Sequence, residues 1–101
     1  MGARTNIEVK FADSNSIFIY SHWGGGGPLR EKLHRAIRRK QRWDDESYLM
    51  AIILREVFRG NLDEETGVGV APWCGEEEYV TTVVDMAKQT IDNVPFDKWR
   101  P

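Results

Sequence analysis

Hydrophobic and polar positions along this chain change period three times, and each change predicts an element. Ile7, Val9 and Phe11 alternate with Glu8 and Lys10, the two-residue repeat of a strand with one face buried. Asp13-Ser14-Asn15-Ser16 is turn chemistry, because these short polar side chains bond their own backbone. The run Ile17-Phe18-Ile19-Tyr20 then predicts a second strand paired with the first as a hairpin and central in its sheet. After Gly24 to Gly27 the period lengthens. Pro28 suits the first turn of a helix, and Leu29, Leu33, Ala36 and Ile37 fall on one helical stripe.

Asp44 or Asp45 is placed to cap a second helix, with Glu46 at the positive end of its dipole. If Asp44 is the cap, Trp43 and Tyr48 stand at the hydrophobic-staple positions. Tyr48, Leu49, Ile52, Ile53 and Val57 give this helix a broad apolar face, and Gly60 is a natural stop. Strand character returns at Val68 and Val70 around Gly69, in Tyr79 to Val84, and at Thr90-Ile91, while Pro95 reads as the end of regular structure. The expected fold is therefore α+β. It is a single domain over residues 1–101, with an antiparallel sheet of four to five strands in the order ββααβββ and two helices on one face.

Composition narrows the class without naming a function. The chain has 101 residues, 41% hydrophobic and 30% charged, which suits one self-sufficient core and argues against disorder. The formal net charge of -2 provides no global pull toward nucleic acid or membrane. The single cysteine, Cys74, allows no internal disulfide, as expected of a protein kept in a reducing cytoplasm. The first residues lack the apolar run of a signal peptide, and Leu49 to Leu54 is too short to span a bilayer, so a soluble, cytoplasmic protein with no membrane partner is expected.

Three features are candidates for chemistry. The loop Ser21-His22-Trp23-Gly24-Gly25-Gly26-Gly27-Pro28 could aim backbone N–H groups and a helix dipole at an anion, or could be a permissive connector. It matches neither the P-loop nor the dinucleotide fingerprint. On a helical wheel Arg35, Arg38, Arg39 and Arg42 lie opposite the Leu29, Leu33 and Ile37 stripe, a basic face suited to an acidic protein or to phosphates. Trp23 and Trp73, both beside loop glycines, are interface candidates, whereas Trp43 and Trp99 are expected at the rim of the core.

The acidic clusters at Asp44-Asp45-Glu46, Asp63-Glu64-Glu65 and Glu76-Glu77-Glu78 lack the spacing of a calcium loop. Cys74 has no sequence-adjacent base, and no serine stands in a nucleophile elbow. No catalytic residue, cofactor or metal site is expected.

Tyr20-Ser21-His22-Trp23-Gly24-Gly25, Arg42-Trp43-Asp44-Asp45 with Tyr48-Leu49, and Thr66-Gly67-Val68-Gly69 give the chain a resemblance to small proteins of unassigned function encoded by bacteriophages and prophages. The resemblance implies a viral protein acting in the bacterial host cell. The expected function is then non-catalytic: binding a host protein, and in one form inhibiting a host defence system. The contact residues would be Ser21, His22, Trp23, Gly24, Gly25, Arg35, Arg38, Arg39, Arg42 and Trp73. The alternative is a binder of a nucleotide or other small anion at the glycine loop. A weaker alternative is nucleic-acid binding through the arginines. A homodimer built on the apolar second helix is compatible with each.

Overall fold

The computed structural model describes residues 5–21, 26–59, 68–73 and 80–101. Its elements are β1 (Thr5–Lys10), β2 (Ser16–Ser21), α1 (Gly26–Ile37), α2 (Glu46–Phe58), β3 (Val68–Ala71), β4 (Val80–Asp85), β5 (Thr90–Ile91) and β6 (Val94–Pro95). The α+β class and the interior position of β2 agree with the hydrophobic pattern, but the sheet is larger than expected and not purely antiparallel. Six strands run in the order β3-β2-β1-β4-β5-β6, and β1 pairs with β4 in parallel. That pairing joins segments more than sixty residues apart, so no local pattern announces it.

The sixth strand arises from a tight turn. Asp92 and Asn93 have φ of 51° and 68°, the two successive positive angles of a hairpin turn that matches strand twist. Thr90 thereby faces Pro95, and Ile91 faces Val94. Pro95 is the last residue of β6 and ends the regular structure as expected, at a sheet edge where a missing N–H costs no ladder bond.

Register explains which strand residues are buried. Ile7 sits beside Ile19 and Thr82, and Val84 sits between Val9 and Ile91, so these six share one face. Each is fully buried. The five apolar ones join Leu29, Leu33, Ala36 and Ile37 of α1 and Leu49, Ile53 and Val57 of α2 in one core, with Phe96 and Trp99 closing it from the C-terminal tail. On the opposite face Tyr20 pairs with Gly69. The end of the Tyr20 ring lies directly over Gly69, so a side chain at residue 69 would force that ring to move.

Two buried polar groups are tied down across elements. Thr82 Oγ1 accepts a hydrogen bond from the Arg30 guanidinium, which also stands 3.6 Å from Asp92 and 5.2 Å from the centre of the Trp99 ring. Arg30 thus joins α1 to β4, to the β5–β6 turn and to the tail. Glu56 on α2 is the second, and it belongs to the surface described next.

Candidate functional site

The arginines expected on one helical face do not stay on it. α1 ends at Ile37, because Lys40 turns into the left-handed region with φ of 55° and returns its N–H to Ile37 O at 3.0 Å. Arg38 and Arg39 therefore lie in the turn, and Arg42, with φ of 59°, lies beyond it. The four residues separate. Arg35 is exposed on α1, whereas Arg38 faces a hollow lined by His34, Trp43, Phe96 and Arg100. Arg39 and Arg42 instead reach α2.

Asp45 is the N-cap of α2, its carboxylate accepting from Tyr48 N–H at 3.4 Å. With Asp45 as cap the staple of Trp43 and Tyr48 does not form. Trp43 turns inward, donating its indole N–H to Ile37 O at 3.0 Å and meeting Phe96 edge-on at 5.3 Å. Tyr48 turns outward and is 57% exposed, with the Arg42 guanidinium 4.7 Å above its ring. Of the broad apolar face, Leu49, Ile53 and Val57 enter the core, while Ile52 is half-buried and Tyr48 leaves it.

The outward stripe of α2 is the candidate site. Tyr48, Ala51, Ile52, Arg55 and Arg59 recur at helical spacing, and two shallow clefts of about 540 and 660 Å³ share Ala51 and Arg55 along it. Arg42 contributes to one cleft and Arg39 to the other, so four guanidinium groups line this surface. Among the described residues the one carboxylate between them is Glu56, 1% exposed, which accepts from Arg39 Nη2 at 2.8 Å and Nε at 3.2 Å, and from Arg59 Nη1 at 3.3 Å. Burial pushes the Glu56 carboxyl upward, but the hydrogen bonds and charges of Arg39 and Arg59 outweigh it and hold the group below the ordinary carboxylate range. Lys32 Nζ donates to Val57 O at 3.3 Å and anchors the same helix end to α1.

Arg39 is therefore partly a structural residue. Arg42, Arg55 and Arg59 carry the more exposed charge. Arg55 is not among the contact residues expected from the sequence, although its spacing from Tyr48 and Ile52 places it on their stripe. Sequence reasoning also missed Glu56, whose signal was a lone acid within an apolar helix run. Trp73 is 67% exposed just after β3 but lines neither cleft. Ser21 closes β2, paired with Thr5 and Val68. His22, Trp23, Gly24, Gly25 and Cys74 lie outside the described residues.

Among the described residues, no three His, Cys, Asp or Glu side chains cluster as metal ligands, and no helix is long and apolar enough to cross a membrane. Comparison of the chain with protein-family models, with curated proteins and with solved structures finds no match.

Proposed function

We propose that this protein is a non-catalytic interaction protein that binds an acidic surface of another protein on the outward stripe of α2. The observation that carries the reading is the interleaving of Arg42, Arg55 and Arg59 with the exposed ring of Tyr48 and the half-buried Ile52, Leu54 and Phe58. Arginine and tyrosine are the side chains that most often concentrate binding energy at interfaces, because each pairs a large flat contact area with directed polar groups. An arginine-rich stripe also steers an acidic partner during encounter. In keeping with the resemblance to phage proteins, the partner we propose is a protein of the bacterial host, met in its cytoplasm, with inhibition of a defence component as one form of that role.

The test is affinity capture from a bacterial lysate with the wild-type protein beside an Arg42→Glu/Arg55→Glu variant. Arg39 is left intact because a glutamate there would face buried Glu56 and unfold the surface being tested. A protein retained by the wild type and lost by the variant supports the reading. Equal retention by both sinks it. Retention abolished by nuclease and by moderate salt would instead favour nucleic acid, whose binding releases counterions. The small-anion alternative rests on the glycine-rich segment between β2 and α1, most of which lies outside the described residues. It predicts a rise in melting temperature with millimolar mono- or cyclic nucleotides, and no rise eliminates it.

A further inference from the structure

A larger cleft, of about 800 Å³, opens at the N-terminal end of α2, where three connections meet. The turn after β1 brings Phe11 and Asp13, and the α1–α2 connection brings Trp43 and Asp44. The turn after β4 brings Met86 and Gln89. Phe11, Ile17, Trp43, Met50 and Met86 form its floor. Asp13 of the β1–β2 turn and Asp44, Asp45 and Glu46 at the start of α2 line it, and no Lys or Arg does so among the described residues. The parallel pairing of β1 with β4 creates this geometry, because it sends both strand ends toward the same edge.

We infer that this cleft binds a cationic amphipathic peptide segment of a partner protein, in which Lys or Arg alternates with large apolar side chains. Charge complementarity comes from four carboxylates contributed by two connections. A basic side chain laid across the Phe11 and Trp43 rings would bury its aliphatic stem and present its head to the carboxylates. Three of those carboxylates are already oriented. Asp13 accepts from Asn15 N–H at 3.0 Å, Asp45 from Tyr48 N–H at 3.4 Å, and Glu46 from Ala12 N–H at 2.6 Å. Each retains acceptor capacity, so little ordering remains to be done on binding.

The floor argues for a peptide over a small polycation, since its apolar width suits branched and aromatic side chains better than the thin methylene chain of a polyamine. Two methionines make that floor adaptable to varied apolar side chains. The site is separate from the α2 stripe, and nothing in it depends on the function proposed there.

The experiment is a fluorescence-anisotropy titration of labelled synthetic peptides into the full chain. One peptide alternates Lys and Leu, a second alternates Lys and Gly, and a third alternates Glu and Leu. Saturable binding of the Lys–Leu peptide is expected, with the other two weaker by about ten-fold or more. An Asp13→Asn/Asp44→Asn variant should weaken the Lys–Leu peptide by about five-fold. Asparagine at residue 13 keeps an oxygen for the turn, and a thermal melt verifies folding. Arg55→Glu, on the other surface, should leave the titration unchanged.

Equal binding of the Lys–Gly peptide, or competition by spermine at equal charge, would show a plain acidic surface and overturn the inference. Absence of saturable binding, or an unchanged Asp13→Asn/Asp44→Asn variant, would overturn it as well. Self-association of the chain that the Asp variant abolishes would assign the cleft to a second copy instead, and would also overturn it.

Discussion

Along the outside of α2, positive charge is carried by Arg55 and Arg59 at helical spacing and by Arg39 and Arg42 from the preceding connection, braced by one buried carboxylate. At the N-terminal end of the same helix, negative charge is carried by turn and cap residues brought together from two connections, over a floor to which a third contributes. Both regions follow the helix dipole, which favours acids at its start and bases at its end. They differ in what holds them. The stripe depends on Glu56, whose desolvation is offset only because Arg39 and Arg59 bond it. The cleft depends on packing beneath it, above all on Trp43. The part of the stripe carried by Arg55 and Arg59 on the helix is thus robust to distant changes, and the cleft assembled from loops is sensitive to them.

The largest expected effect follows from that dependence. Trp43→Ala removes the cleft floor, the bond to Ile37 O and the contact with Phe96, and should destabilise the fold by about 2–4 kcal/mol in a urea melt. Binding at the α2 stripe should survive it below the melting temperature. Loss of both together would show that the two regions are one unit.

Glu56→Ala comes next, at about 1–3 kcal/mol. The buried group is lost, but Arg59 and much of Arg39 can relax into solvent, which keeps the cost below that of a fully buried pair. Because the folded protein holds this carboxyl below its ordinary range, its stabilisation is complete above that range and is lost as pH falls through the depressed value. Stability should therefore decline in acid for the wild type, and Glu56→Gln should show less of that decline. Identical slopes would mean the arginines do not stabilise the charge.

Arg42→Glu/Arg55→Glu should cost about 1 kcal/mol or less per site, through the lost contact with Tyr48 and the reversed charge at the helix end. Its effect belongs to binding, so a large drop in melting temperature would reclassify these residues as structural.

The smallest effect concerns His34. Burial first, then the charges of Arg100 and Arg38, lower its proton affinity below the ordinary value of 6.5. Above that value His34 is neutral in both folded and unfolded chains. As pH falls below it the unfolded chain takes up the proton first, so the folded state loses a little stability until the depressed value is passed. Arg38→Gln should raise the His34 midpoint in an NMR titration, and an unmoved midpoint would remove Arg38 as a cause.

The first hairpin, both helices and the α+β class are legible along the chain, because each rests on a local period or cap. Asp45 beginning α2 is one case, and the alternation of Ile7 and Val9 is another. Two cap candidates stood side by side at Asp44 and Asp45, and choosing the second turned Tyr48 outward. The wheel placing Arg42 with Arg35 and Arg38 assumed a helix that continued, whereas Lys40 and Arg42 both adopt left-handed angles. Short side chains usually mark such angles, so two long cations conceal them.

Local residue chemistry decides the elements here, through periods of two and 3.6 residues and through side chains that cap their own backbone. It also decides that charge is sorted rather than mixed. The parallel pairing of β1 with β4, the meeting of three connections over Trp43, and the burial of Glu56 between two arginines are decided by contacts between distant segments. Such contacts form only when the core closes, since their energy comes from removing both partners from water together.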